Sequence, residues 1–259
     1  MHLPFELIAG LAAIAFVAGF IDALAGGGGL LTLPALLAAG IPPVSAIATN
    51  KLQSSCGTGG AFLAFARKGH IDFRRFGIPA LCVFVGSALG AYALQSIDSS
   101  FLSALMPLLL VAMALYFLLA PRMSEEDRHA RLGSAALLLL LAGIGFYDGF
   151  FGPGTGSFFT TSLVALAGLG LVRAIAHAKF LNFASNIAGL LVLIVSGKVL
   201  WILGLAMAAA SVAGNQIGAH SAMRFGGRGV RPLLVIMSLA LTAKLLANPA
   251  NPLRVWLGY

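Results

Sequence analysis

The feature that most constrains this chain is the length of its uninterrupted apolar runs. Residues 76–97, 99–121 and 180–197 contain no charged side chain at all. A helix rises 1.5 Å per residue, so about 20 residues cross a hydrocarbon core ~30 Å thick. The chain of 259 residues therefore has room for roughly eight to ten such segments. The runs are continuous rather than alternating, which excludes an outer-membrane barrel. Composition removes the other classes: 59% of residues are apolar and only 9% charged, against about 25% charged in a soluble domain. So little charge cannot cover a water-facing surface, and disorder, collagen and coiled coil fail on the same ground. The fold class is an all-α polytopic membrane protein. The net charge of +8 lies mostly in loops between spans, so nucleic acid is not an implied partner. Cys56 and Cys82 both fall inside apolar stretches, which argues against a disulfide framework. The opening MHLPFELIAG lacks a basic n-region and a clear cleavage site and is taken as a retained first span.

The chain carries a copy of itself. Gly19–Pro34 (GFIDALAGGGGLLTLP) aligns with Gly145–Thr160 (GFYDGFFGPGTGSFFT), placing Asp22 over Asp148. After a two-residue adjustment, Ala48–Phe65 (ATNKLQSSCGTGGAFLAF) aligns with Ala176–Leu193 (AHAKFLNFASNIAGLLVL), which sets Lys51 on Lys179. The same register matches Gly69 with Gly197, Gly86 with Gly214 and Gly90 with Gly218. An ordered series at nearly constant offset reads as a tandem duplication: a first repeat at 1–120, a polar cytoplasmic linker at 121–131 and a second repeat at 132–259.

Each half reads as five helical segments. They are expected near 5–24, 30–39, 43–66, 74–97 and 100–120, then near 132–151, 156–169, 171–196, 199–223 and 231–248. The second segment of each half is short and follows a helix-breaking run, Ala25–Gly29 (AGGGG) or Gly152–Gly156 (GPGTG). Broken backbone at membrane depth is tolerated only inside protein or beside a wet cavity. If the loop Arg67–Arg75 is cytoplasmic and each segment reverses direction, Arg67, Lys68, Arg74, Arg75, Arg122, Arg128, Arg131, Arg173, Arg224, Arg228 and Arg231 all fall inside. Lys198, Arg254 and both termini then fall outside. Five segments per half make the repeats run in opposite directions, an inverted-topology layout shared by many secondary transporters with midplane sites.

Beyond their first turns, the expected spans hold five charged residues: Asp22, Lys51, Asp148, Lys179 and Lys244. Charge is costly there and usually marks a site or pathway. Lys51 and Lys179 sit about 12 Å deep in their helices, at equivalent positions, and are the leading anion-binding candidates; snorkelling is the bland alternative. Lys244 reads as a snorkelling anchor. Thr49, Asn50, Gln53 and Ser54 surround Lys51, whereas His177, Asn182 and Asn186 surround Lys179. Such donors, expected to be free of nearby negative charge, suit an anion; interhelical hydrogen bonding is the alternative. The short second helices would aim their N-termini inward, so Gly28, Gly29, Thr155 and Gly156 join the candidate cradle. Asp22, Asp148 and His177 are candidates for proton coupling, although the aspartates could equally cap backbone or pair with a lysine. GGGG and GPGTG are not nucleotide loops, because no strand precedes them and no Lys-Ser/Thr pair follows. Gly86-x-x-x-Gly90 and Gly214-x-x-x-Gly218 read as small-residue helix seams. No Cys/His cluster has metal spacing, so neither metal nor cofactor is implied.

The paired motifs GFIDALAGGGG and GFYDGFFGPGTG, each followed by ATNKLQSS or AHAKFLNFASN, resemble the TauE/SafE sulfite exporter family from about residue 8 to 248. Asn50-Lys51 fits the family's first-half element, while Ala178 stands before Lys179 where that element has asparagine. The resemblance implies a bacterial inner-membrane permease, not an enzyme, exporting small sulfur-containing anions such as sulfite or C2 sulfonates. Its partners would be that anion and the lipid bilayer, with a homodimer left open; the proton is the candidate coupling ion that Asp22, Asp148 and His177 suggest. The alternatives are an anion channel or a membrane enzyme such as a lipid-diphosphate phosphatase. The latter is disfavoured because Glu6 lies at an end and Glu125 and Glu126 lie in the linker.

Overall fold

A computed structural model describes residues 3–119, 129–225, 239–240 and 243. Among these residues there are nine α-helices and no strand. The first five are α1 (Phe5–Ala25), α2 (Gly29–Ala38), α3 (Pro43–Arg67), α4 (Phe73–Gln95) and α5 (Ser99–Leu119). They are followed by α6 (Ser134–Phe150), α7 (Thr155–Ala165), α8 (Leu171–Val195) and α9 (Trp201–Phe225). Nearly every boundary falls within two residues of the sequence expectation. The exception is the C-terminal end of α7, which stops at Ala165, four residues before the expected 169. The expected tenth segment at 231–248, Lys244 and most of the linker lie outside the described residues, apart from residues 239, 240 and 243, which are helical.

Local chemistry explains the boundaries. Gly26 closes α1 at φ 74°, a left-handed conformation that side chains with a Cβ rarely adopt. Gly154 opens α7 at φ 85°. Pro42 and Pro43 start α3, since proline is pre-organised for a first turn. Asp72 caps α4 by accepting from the Arg75 N–H at 3.0 Å. Asp98 accepts from the Ser100 hydroxyl and backbone, which holds its carboxyl below the usual carboxylate range.

Among the described residues, five helices are long and apolar enough to cross a membrane: Phe5–Leu24, Phe73–Gln95, Ser99–Tyr116, Leu171–Val195 and Trp201–Ser221. Ile78, Leu81, Val85, Leu89 and Tyr92 form an exposed stripe at helical spacing on α4, an apolar face suited to lipid. The protein is therefore a multi-pass membrane protein. α3 is as long as α8 but is far more polar, because it carries Thr49, Asn50, Lys51, Gln53, Ser54, Ser55 and Thr58. Most of those side chains are buried, and α3 runs through the middle of the molecule against α8 and α9.

Two tight seams hold α4 to α6 and α9 to α1. A Cβ on Gly86 or Gly90 would be driven into the carbonyl oxygens of Ala142 and Phe146 on α6. A Cβ on Gly214 or Gly218 would meet those of Phe16 and Phe20 on α1. The glycines are the small-residue pairs expected from the sequence, and Phe16 and Phe20 align with Ala142 and Phe146 in the register that aligns Asp22 with Asp148.

Candidate functional site

The two helix breaks meet at the centre. The Ser157 N–H at the start of α7 donates to the Gly26 carbonyl at 2.9 Å, and a Cβ on Gly26 would have no room beside Gly156. Around this contact lies a small polar cavity. It is lined by Asp22, Gly26 and Gly29 from the first break, and by Asp148, Gly152, Gly154, Thr155 and Gly156 from the second. Asn50, Ser54 and Thr58 of α3 and Asn182 and Asn186 of α8 complete it. Its volume is about 20 Å³, enough for one water and for no anion larger than that.

Lys51 and Lys179 both reach this centre, and each meets a carboxylate from the other half. Lys51 Nζ is 2.8 Å from Asp148 Oδ2 and donates to Asn186 Oδ1 at 3.2 Å. Lys179 Nζ is 2.7 Å from Asp22 Oδ2 and also donates to the Asp22 carbonyl. This corrects the expectation of donors without nearby negative charge: the four groups sum to zero. The reason is the register of the breaks. Asp22 and Asp148 stand one turn before the end of α1 and α6, where those helices reach the central lysines of α8 and α3. Snorkelling is also ruled out for both lysines, since they are 1% and 2% exposed.

The other candidates divide into those at the cavity and those away from it. Asn50 lines it and accepts from the Thr32 hydroxyl of α2 at 2.6 Å. Asn186 donates to the Asn182 backbone and side-chain oxygens, which fixes both amides along one face of α8. The Gly28 N–H is directed at Asp22 Oδ1, 3.2 Å away, so the α2 terminus holds an aspartate rather than an open position. Thr155 turns its hydroxyl to the Gly152 carbonyl. Thr49 points away and accepts from the Leu200 N–H ahead of α9. Gln53 donates to Ser211 of α9 at 2.6 Å, with its own carbonyl oxygen unpartnered. His177 faces the far side of α8: its Nε2 accepts from the Asp72 N–H at 3.0 Å and its Nδ1 lies 2.7 Å from the Arg173 carbonyl. Neither Asp22 nor Asp148 is among its partners.

Residues missed in the sequence also contribute. Ser185 donates to Asp148, and Tyr147 donates to the Pro153 carbonyl at 2.7 Å, bracing the second break. Ser185 lies three residues from Asn182 and one before Asn186, so the polar stripe of α8 could have revealed it. Nothing in the sequence singles out Tyr147.

A model of the sulfite exporter TauE/SafE family matches residues 11–245. The chain belongs to the TauE/SafE family. It is 48% identical over 258 residues to a probable membrane transporter protein, ORF9, of a Sinorhizobium species, covering 99% of each chain. It is 46% identical to a probable membrane transporter protein of Haemophilus influenzae, covering 95% of this chain and 96% of that one. The probable membrane transporter protein YfcA of Escherichia coli K12 is 43% identical, covering 95% of this chain and 92% of that one. No solved structure matches the chain. Within a TauE/SafE protein, the buried lysines, carboxylates and paired helix breaks are the features that carry the functional argument.

Proposed function

We propose that this protein is a secondary transporter that exports small sulfur-containing anions, such as sulfite or C2 sulfonates, across the bacterial inner membrane by alternating access. The two halves would run in opposite directions, with both termini on the periplasmic side. The observation that supports this reading best is the pair of crossed ion pairs at the meeting point of the two breaks. Buried charge is retained in a membrane interior where it binds or moves something. Each pair here ties one half to the other, so it can be remade when the halves rock.

Charge balance suggests the coupling ion. With both aspartates ionised, the centre is neutral and offers an anion no net attraction. A proton on one carboxylate leaves its lysine uncompensated, and an anion can take the vacated place. Anion and proton would then occupy the centre together. Lys51 and Lys179 would neutralise substrate charge, while Asn50, Ser54, Asn182 and Asn186 would orient its oxygens. The 20 Å³ cavity fits an occluded, substrate-free conformation.

The direct test is flux of sulfite and sulfoacetate into proteoliposomes of purified protein, with Lys51→Ala as control. Saturable flux with counterflow, lost in the variant, supports the reading. Flux that neither saturates nor shows counterflow would indicate a channel. Absence of flux for either anion would sink the substrate assignment.

A further inference from the structure

The second cavity lies away from the centre, at the end of the molecule where α3 leaves and α4 and α8 begin. It has a volume of about 260 Å³ and is lined by Gly69–Asp72, Arg75, Phe76, Leu169, Arg173 and His177. It is an order of magnitude larger than the central one. Two long helices, α4 and α8, start beside it, so their positive dipole ends converge there. Arg75 and Arg173 supply permanent charge in the wall, and Arg67, Lys68 and Arg74 are exposed on the same loop or the first turn of α4. The carboxylate of Asp72 caps α4, and the inner wall is the buried His177 ring, tilted by 36° against that of Phe76 with 4.0 Å between ring centroids. Arg173 lies six residues before Lys179 on α8, about 9 Å along the helix.

We infer that this cavity is a second anion site, where a small oxyanion (a sulfite or an alkylsulfonate) is captured before it reaches the centre. The inference rests on the transport reading for its purpose. The planar, permanently charged forks of Arg75 and Arg173 match oxyanion geometry. The surrounding basic residues raise the local concentration of anions at this mouth. α8 then links the two sites, with Arg173 at one and Lys179 at the other. The centre has no space for the anion until it opens, whereas this cavity already does.

Isothermal titration of sulfoacetate into detergent-purified protein tests it. The background is Lys51→Met/Asp148→Leu, which leaves no charge at that central pair. Saturable binding should persist there, weaken about tenfold or more when Arg75→Ala and Arg173→Ala are added, and weaken less with Arg75→Lys and Arg173→Lys, which keep the charge and lose the fork. Unchanged elution and melting in the arginine variants confirm folding. Binding that disappears with the central pair, or that ignores the arginines, would overturn the inference. Displacement by short-chain phosphatidylglycerol at far lower concentration than by sulfate would reassign the site to lipid headgroups, which also overturns it. In proteoliposomes, the two Arg→Ala changes should raise KM from this side and spare kcat. If no sulfur anion is transported but arginine-dependent binding remains, the transport reading fails and the oxyanion site stands.

Discussion

The two central ion pairs are built from equivalent residues, yet their carboxylates are held differently. Asp148 is 2% exposed and is gripped by Lys51 and by the hydroxyl of Ser185. Asp22 has a side chain 14% exposed, held by Lys179 and by the Gly28 N–H. The alignment explains the contrast. The residue equivalent to Ser185 is Gly57, which has no hydroxyl to offer and whose bare Cα makes room for Ser211 and Asn215 of α9. The lysines differ too. Lys51 is steadied by Asn186, while the residue equivalent to Asn186 is Thr58, whose hydroxyl bonds to the Ser54 carbonyl instead. The lesson is one of enclosure: Lys51–Asp148 is a sealed joint, whereas the Asp22 carboxylate of the other pair stays partly exposed.

The largest expected effect comes from breaking the sealed joint. Lys51→Ala leaves a carboxylate buried without its cation, which costs about 3–5 kcal/mol, and transport should vanish. Lys51→Met/Asp148→Leu removes both charges at once, and such exchanges are often neutral or stabilising. Melting of the double variant in detergent should return close to wild type while flux stays absent. Recovery of flux in the double variant would show that the joint holds the fold and does not serve transport.

Next come the aspartates taken singly. Asp22→Asn should lower melting only modestly, because the Asp22 side chain is already partly exposed and Lys179 keeps its bond to the residue 22 carbonyl. It should still exchange anion down a gradient but lose accumulation driven by a pH gradient. Asp148→Asn should lower melting further, since the buried Lys51 then faces a neutral amide. Uphill accumulation that survives Asp22→Asn and fails with a well-folded Asp148→Asn would reverse the assignment of roles.

The helix seams should respond alike where the ion pairs do not. Gly90→Val on α4 and Gly218→Val on α9 both thrust a side chain at a backbone carbonyl, of Phe146 and Phe20 respectively. Backbone cannot swing aside, so each change should cost about 1–3 kcal/mol or more. Comparable melting losses would place the asymmetry in the polar centre alone. A large difference between them would extend it to the scaffold.

Much of this architecture was legible in the sequence, because helix length, glycine breaks and duplication are properties of one chain read along itself. The positions of Lys51, Lys179, Asp22 and Asp148 were legible for the same reason. Their pairing was not, since helical periodicity gives the face a residue occupies and not the neighbour that fills it. His177 shows the limit clearly. It stands two residues before Lys179, about 200° around the helix, and so faces the second cavity rather than the centre. Proximity in sequence suggested a shared site, and the helix separated them.

Gln53 offers the smallest and most discriminating test of the comparison. Its equivalent is Leu181, which is fully buried, so one side of the molecule already tolerates leucine at this position. Gln53 makes one hydrogen bond, to Ser211, and leaves its buried carbonyl oxygen without a partner. A typical hydrogen bond contributes about 1 kcal/mol net, whereas an unsatisfied buried polar atom costs about 1–3 kcal/mol. The two nearly offset, so Gln53→Leu should change stability by no more than about 1 kcal/mol. Substrate KM should not move, because the side chain points toward α9 and away from the cavity. A marked rise in KM would mean that Gln53 turns inward during the cycle, and that the polar cluster with Ser211 and Asn215 belongs to the moving site rather than to the frame around it.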